Sequence, residues 1–167
     1  SDSLAATYAC SGLTAYSALK KVGELQEDDA VVIIGAGGVG MMAIQIAISA
    51  MGIDPIVVDI DDAKLDAARD LGVTRTYNSS DAQTSKELRK ATGGAYAVLD
   101  FVGAEASVNY ALGCLRKGGM LVIVGLYGGA LNIPIPFLPM NARIIQGSYV
   151  GTPKDMAELM ELVRAGK

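Results

Sequence analysis

Apolar residues occur along this chain in two patterns that alternate. Short runs of consecutive apolar residues, rich in valine and isoleucine, are typical of strands buried on both faces of a parallel sheet. The predicted strands of this kind are Ala30–Ile34, Ile56–Val58, Ala97–Phe101 and Met120–Val124, with weaker candidates at Val73–Tyr77 and Ile144–Val150. Between them lie segments with helical spacing, and the predicted helices are Val39–Met51, Asp62–Leu71, Ser79–Thr92, Glu105–Leu115 and one that begins at Pro153. This alternation predicts an α/β fold, with helices on both faces of a parallel sheet.

Glycine, proline and serine residues mark where several of these elements begin and end. Gly72 and the pair Gly93-Gly94 are interpreted as helix stops, and Ser79 as an N-cap. Asn132–Met140 holds three prolines, which exclude a central strand but allow an edge strand or a loop. No linker or internal repeat divides the chain, so residues 1–167 are expected to form one domain.

Composition narrows the choice of partners and compartment. The longest apolar stretch, Met41–Met51, is interrupted by Gln45 and Ser49, so it predicts a buried helix and not a membrane span. The formal net charge is −4, with acids and bases interspersed, which disfavours nucleic acid as a partner. The first residues lack the pattern of a secretion signal, and Cys10 and Cys114 are expected to be thiols of a cytoplasmic protein.

Histidine is absent from the sequence. A zinc site that uses histidine therefore cannot be completed within this chain, and neither can a serine–histidine or cysteine–histidine nucleophilic pair. The usual proton carrier at neutral pH must come from elsewhere.

The most informative motif is a glycine-rich segment, Gly35-Ala36-Gly37-Gly38-Val39-Gly40, between the first predicted strand and the first predicted helix. Gly35 permits the tight turn, Gly37 lets the backbone approach a pyrophosphate, and Gly40 lets the helix pack closely on the sheet. Gly38 and Val39 begin the helix, whose first N–H groups and positive dipole end face the phosphates. The motif predicts a Rossmann-type doubly wound parallel sheet in three layers (αβα) that binds a dinucleotide.

An acidic residue ends the second predicted strand, 19 residues after Gly40. Asp59 at this position can accept hydrogen bonds from both hydroxyls of an adenosine ribose, and it repels a 2′-phosphate. Ile60 supplies no positive charge to hold such a phosphate, so the sequence favours NAD over NADP. Lys64 either reaches back to the same ribose or is an ordinary solvated lysine, and its spacing leaves both interpretations open.

Several motifs together resemble the medium-chain dehydrogenase/reductase superfamily. They are the glycine-rich segment, Asp59 with Lys64, Ala97–Gly103, and Val122-Ile123-Val124-Gly125-Leu126. The segment Ala9-Cys10-Ser11-Gly12-Leu13-Thr14-Ala15-Tyr16 narrows the resemblance to the zinc-dependent alcohol dehydrogenases. The likeness extends from about Ala5 to Gly166.

The resemblance implies a role for each matching residue. Cys10 matches the third protein ligand of a catalytic zinc, while the other two ligands belong to a GroES-like catalytic domain that is absent from this chain. Thr14 matches a residue at the nicotinamide end of the cofactor. Phe101 and Val102 match residues of the adenosine and central part of the groove. The residues that match contacts to the nicotinamide carboxamide are Val124, Gly125, Leu126, Ser148 and Val150.

The expected function is therefore that of the NAD-binding domain of a zinc-dependent alcohol dehydrogenase-like oxidoreductase, which positions nicotinamide for hydride transfer. Zinc is expected only in the intact enzyme, and this chain alone is expected to bind NAD(H) without turning over an alcohol. The resemblance also implies a homo-oligomer that pairs through the Ile144–Val150 edge, whose β-branched residues offer a template for pairing.

Three alternatives fit part of the sequence. A zinc-free quinone or enoyl reductase of the same superfamily usually lacks a cysteine at the position of Cys10 and prefers NADPH. A regulatory NAD-sensing module does not need Val124-Gly125-Leu126. A methyltransferase that binds S-adenosylmethionine seldom keeps three glycines at this spacing.

Overall fold

Six parallel strands form a single sheet in a computed structural model that describes residues 7–81 and 83–166. The spatial order is β3-β2-β1-β4-β5-β6, which is the Rossmann strand order. The strands are β1 (Val31–Ile34), β2 (Ile56–Asp59), β3 (Arg75–Asn78), β4 (Ala95–Asp100), β5 (Leu115–Ile123) and β6 (Ile144–Gly147). The predicted fold class is therefore confirmed.

Helices connect consecutive strands across both faces of the sheet. A π-helical turn (Tyr8–Gly12) leads into the first helix. The α-helices are α1 (Leu13–Lys20), α2 (Gly38–Met51), α3 (Asp62–Asp70), α4 (Thr84–Thr92), α5 (Glu105–Cys114), α6 (Phe137–Asn141) and α7 (Pro153–Arg164). Within residues 7–81 and 83–166, no helix is both long enough and apolar enough to cross a bilayer.

The core lies in two layers because side chains of a strand alternate between faces. Val31 and Ile33 point toward one face, where they pack with α1, α2, α3 and α7. Val32 and Ile34 point toward the other face and pack with α4, α5 and α6. All four are buried, which explains why β1 is a continuous apolar run and does not alternate with polar residues.

The chain reverses its winding direction next to β1. β1 pairs with β2 on one side and with β4 on the other, so the connections from β1 and β4 leave toward opposite edges of the sheet. A crevice opens at the carboxyl ends of the strands at such a point, and ligands of open α/β sheets bind there. The glycine-rich segment leaves β1 at this crevice.

The predicted helix Ser79–Thr92 was wrong at its start. Helix α4 begins at Thr84, and residues 78–81 form turns that use their own side chains. Asn78 Oδ1 accepts from Ser80 N at 2.9 Å, and Asp81 Oδ1 accepts from Gln83 N at 2.8 Å. Such local bonds from Asn and Asp compete with helix formation, so Ser79 is not the N-cap.

The carboxyl-terminal part of the fold also differs from the prediction. The last strand ends at Gly147, not at Val150, and the left-handed backbone of Val150, with φ of 52°, is incompatible with a strand at that residue. The proline-rich segment Asn132–Met140 contributes the start of α6, since a proline is tolerated where a helix begins. Helix α1 was not predicted, and β3 begins at Arg75, two residues later than expected.

Candidate functional site

The glycines of the glycine turn, which is defined as Gly35–Gly40, are needed for different reasons. Gly35 has φ of 92°, and a Cβ there would lie 2.8 Å from Val102 Cγ2. A Cβ on Gly40 would overlap the carbonyl oxygen of Gly35, so this glycine lets α2 pack against the turn. Around Gly37 and Gly38, in contrast, the Cβ positions face open space. The outer side of the turn is therefore a bare backbone surface beside the amino end of a helix.

Asp59 stabilises the glycine turn from the end of β2. The residue is 6% exposed, and its Oδ2 accepts from Ala36 N at 2.7 Å. Its Oδ1 accepts from Asp61 N at 3.0 Å and lies 3.8 Å from Lys64 Nζ. The Lys64 ammonium therefore lies near Asp59, while a contact between Lys64 and the ribose stays a prediction. Because each carboxylate oxygen can accept more than one hydrogen bond, Asp59 keeps capacity for a ligand.

A cavity of about 310 Å³ opens beside this carboxylate and is named here the Asp59 cavity. It is lined by Ile34, Gly35, Asp59, Ile60, Ser79, Val102, Ala104, Ala106, Ser107, Tyr110 and Tyr127. Ile60 is 70% exposed, so it contributes an apolar surface at the edge and not a buried wall. The Tyr110 hydroxyl lies 3.0 Å from Thr84 Oγ1, and burial raises the pKa of Tyr110 to about 12. Tyr110 therefore remains a neutral hydroxyl at physiological pH.

A second cavity, named here the Cys10 cavity, has a volume of about 390 Å³. It is lined by Cys10, Thr14, Val39, Phe101, Val124, Gly125, Leu126, Ser148, Tyr149 and Val150. Nine of these ten residues were predicted from the sequence as metal or cofactor residues, and the structure places them together. The Ser148 hydroxyl is buried and has no hydrogen-bond partner in the part of the chain that the structure describes. An orphaned buried hydroxyl next to a cavity is suited to a polar ligand group.

The glycine turn connects the two cavities, since Gly35 lines one and Val39 lines the other. Gly37 and Gly38 present their backbone along this path, whereas Gly40 is buried beneath it. Both cavities are predominantly apolar with a few polar groups, which is typical of small-molecule sites.

Cys10 was the only candidate metal ligand. It lies exposed in the π-helical turn, a rare geometry that often occurs at functional sites. Within residues 7–81 and 83–166, no group of three or more histidine, cysteine, aspartate or glutamate side chains is placed to hold a metal ion. A zinc ion needs at least three protein ligands, so the donors described here do not by themselves form a zinc site.

Sequence reasoning missed one buried acid that shapes both cavities. Asp100 is fully buried, and its carboxylate accepts from Val102 N at 2.9 Å, Gly103 N at 3.1 Å and Ser107 Oγ at 2.7 Å. Its carbonyl oxygen accepts from both Val124 N and Gly125 N. Asp100 thus fixes the turn after β4 against the turn after β5.

Several residues that line the cavities were also missed, among them Ser79 and Tyr110. Ser79 follows the carboxyl end of β3, a position that could have marked it as a site residue, but it was interpreted as a helix cap. Tyr110 lies within α5, where an aromatic residue at helical spacing resembles an ordinary core residue. No sequence signal distinguishes Tyr110 from such a core residue.

Comparison with known proteins gives consistent matches. The family model of zinc-binding dehydrogenases matches residues 38–165. An alcohol dehydrogenase of Moraxella sp. (strain TAE123) is 40% identical over 158 residues, which are 95% of this chain and 46% of that protein. An NAD-dependent alcohol dehydrogenase of Sulfurisphaera tokodaii is 38% identical over 166 residues, covering 98% of this chain and 48% of that protein. The crystal structure of the alcohol dehydrogenase from Aeropyrum pernix matches with a TM-score of 0.86 at 32% identity, over 95% of this chain and 46% of that chain.

This chain spans about half the length of the curated relatives that it matches. The family match extends from within the glycine turn to the end of α7, so it includes most of the residues that line both cavities. The resemblance to the medium-chain dehydrogenases is confirmed, and this chain belongs to the zinc-binding dehydrogenase family.

Proposed function

We propose that this chain binds NAD(H) in an extended form across the carboxyl edge of its sheet, as the cofactor half of a zinc-dependent alcohol dehydrogenase-like oxidoreductase. The observation that carries this proposal is the arrangement of the two cavities. A glycine turn with an exposed backbone runs from an acid-lined cavity to one that holds Cys10 and an unpaired buried hydroxyl. Relatives that span twice this length include an NAD-dependent alcohol dehydrogenase, which supports the choice of cofactor.

The adenosine end is assigned to the Asp59 cavity. The Asp59 carboxylate accepts from the ribose hydroxyls, and Lys64, 3.8 Å from Oδ1, lies on the same side. Ile60 and Val102 offer apolar surfaces for the base. The negative charge of Asp59 disfavours a 2′-phosphate, which supports NAD over NADP.

The pyrophosphate is assigned to the outer surface of the glycine turn. Gly37 and Gly38 leave room there, and the first N–H groups of α2 and the positive end of its dipole favour anions. Because Gly40 fixes the start of α2 against Gly35, these donors are preorganised.

The nicotinamide end is assigned to the Cys10 cavity. The unpaired Ser148 hydroxyl is available to the carboxamide, and Val124, Leu126, Val150 and Thr14 line the same cavity. When bound, NAD supplies the hydride-transfer chemistry, and this chain's role is to hold the ring in place. Cys10 would contribute one zinc ligand in the longer protein, with the remaining ligands supplied from outside this chain.

The chain is expected to bind NADH but not to oxidise alcohols by itself. Calorimetry with NADH, NADPH and S-adenosylmethionine tests the first part, and NADH is expected to bind tightest and to raise the melting temperature. Absence of NADH binding, or tighter binding of S-adenosylmethionine, would contradict the assignment. Steady alcohol-dependent NADH production by the purified chain, above a heat-killed control, would contradict the second part.

We also infer self-association through β6. This strand lies at the edge of the sheet, and several large apolar side chains in the surrounding segment are exposed. They are Leu126, Tyr127, Leu131, Ile135, Met140, Ile144 and Tyr149. Analytical ultracentrifugation at micromolar concentration is expected to give a dimer, and Ile144→Lys is expected to shift the population toward monomer. A wild-type monomer throughout this range would remove the inference.

A further inference from the structure

The segment that closes one wall of the Cys10 cavity is held in a costly conformation. Val150 is β-branched and has φ of 52°, a region that such residues rarely adopt. Two residues earlier, the Ser148 hydroxyl is buried without a partner in the described part of the chain. Both residues line the Cys10 cavity. A strained residue beside an unsatisfied hydroxyl persists only where the surrounding structure enforces the geometry.

The enforcing contacts come from the two helices on this face of the sheet. Gly151 packs against α1 so closely that a Cβ would lie 2.7 Å from Leu13 Cδ1 and 3.0 Å from Ser17 Cβ. Directly afterwards, Thr152 N donates to Asp155 Oδ2 at 2.8 Å, and Asp155 N donates to Thr152 Oγ1 at 3.1 Å. This reciprocal capping fixes the start of α7 relative to the strained segment.

An ion pair connects the two helices. Lys20 Nζ, in the last turn of α1, donates to Asp155 Oδ1 at 2.8 Å, and Asp155 is 8% exposed. The same ammonium contacts Glu158, whose carboxylate also accepts from the Tyr16 hydroxyl at 3.1 Å. The hydrogen bond from Lys20 holds the pKa of Asp155 well below its usual range, so the carboxylate remains charged at neutral pH.

The pair therefore connects two walls of one cavity. Helix α1 carries Thr14 at its amino end, and the segment before α7 carries Ser148 and Val150. We propose that Lys20 and Asp155 are positioning residues for the nicotinamide end of the cofactor, which they hold in place by fixing residues 148–152 against α1. This rests on the proposed function, because it assumes that the Cys10 cavity receives nicotinamide.

The test compares two ligands that share the adenosine end. NADH carries the nicotinamide ring, whereas ADP-ribose contains the adenosine and pyrophosphate without it. In Lys20→Met, NADH affinity is expected to fall about tenfold, the scale of one lost good contact, while ADP-ribose affinity stays within about twofold. The fluorescence change of bound reduced nicotinamide is expected to diminish, and Lys20→Arg is expected to restore both readouts.

A matched control is available at the opposite edge of the sheet. Arg116 and Asp29 form an ion pair at 2.7 Å whose carboxylate is 3% exposed, and neither residue lines the two cavities. Arg116→Met removes a comparable pair and is expected to leave the ratio of NADH to ADP-ribose affinity unchanged. Should Lys20→Met fold poorly, Asp155→Asn keeps one oxygen for Thr152 and replaces the acceptor of Lys20 by an uncharged amide group.

The outcomes separate the two proposals. If the wild-type chain binds neither ligand, the proposed function fails and this inference fails with it. If the wild type binds both and the Lys20 and Asp155 variants lose them equally, or lose neither, the positioning role is overturned while the proposed function survives. A selective loss of NADH affinity in these variants, without one in Arg116→Met, supports the positioning role.

Discussion

Replacing Asp59 by asparagine removes one charge at nearly constant shape, at the residue that joins the glycine turn to the proposed ribose site. The wild-type carboxylate uses both oxygens, one for Ala36 N at 2.7 Å and one for Asp61 N at 3.0 Å. Asparagine has a single side-chain oxygen, so its amide must face one of these two donors. We expect a loss of about 1–3 kcal/mol in stability, the cost of a buried donor without a partner. For a chain of this length each kcal/mol lowers the melting temperature by about 2–4 °C.

The same substitution also changes the choice of cofactor. A phosphate charge about 5 Å from a carboxylate is repelled by about 3 kcal/mol at an effective dielectric constant of about 20. Salt and exposure reduce this to about 1–2 kcal/mol, or about 5- to 30-fold in relative affinity. Lys64, which lies 3.8 Å from Oδ1 and is 46% exposed, then becomes available to a 2′-phosphate. We therefore expect NADH to bind more weakly and NADPH more tightly to Asp59→Asn.

Calorimetry at one fixed ionic strength measures both affinities. The control is Asp66→Asn, which makes the same change in net charge on the exposed side of α3, where Asp66 pairs with Arg69. The control is expected to leave the NADH to NADPH ratio within about twofold, the scale of an exposed ion pair. An unchanged ratio in Asp59→Asn, with both cofactors weakened equally, would refute the reasoning, since it would mean that Asp59 acts only on the turn.

Four further predictions concern the glycine turn and the thiols. Gly37→Val is expected to abolish NADH binding with an unchanged circular dichroism spectrum, because its Cβ position faces open space on the proposed phosphate path. Gly40→Ala is expected to cost about 3 kcal/mol or more in unfolding free energy by denaturant titration, since its Cβ overlaps the Gly35 carbonyl oxygen. Cys10 is expected to react with a disulfide reagent in the native chain, and Cys114 only after denaturation. Burial raises the pKa of Cys114 from 9.0 to about 12. The neutral buried thiol therefore contributes its full share to the unfolding free energy below pH 9, and this contribution decreases between pH 9 and pH 12. Cys114→Ala is expected to make that decrease less steep, and an unchanged slope would contradict the raised pKa of this thiol.

The elements that were predicted well from sequence are those whose signal is local. β1, β2 and α2 follow from apolar runs and a glycine motif, because complete burial on both faces of a parallel sheet dictates such composition. The start of α4 could not be predicted, since the choice between a helix cap and an Asx turn at residues 78–81 depends on which oxygen each backbone amide reaches.

The sequence predicted those parts of the candidate site where the backbone requires a particular residue. It did not predict where side chains from distant segments of the chain come together. The Cys10 cavity gathers residues from five separate segments of the chain, and family resemblance supplied almost all of them. The Asp59 cavity also includes Ser107 and Tyr110 from α5, which no motif marks. Their contribution depends on how far α5 lies from β1, a distance set by packing and not by spacing in sequence.

Asp59 and Asp100 illustrate why the same sequence pattern can have two roles. Each is the last residue of a buried strand, and the two strands flank β1 on opposite sides. Asp59 accepts from two backbone amides and faces a lysine at the edge of a cavity, so capacity for a ligand remains. Asp100 accepts from two amides and the Ser107 hydroxyl with no exposed surface, so its lone pairs serve the fold. Because a buried carboxylate without a cation is stabilised only by such donors, Asp100→Asn is expected to reduce stability far more than Asp59→Asn, whereas only the latter changes the choice between NADH and NADPH.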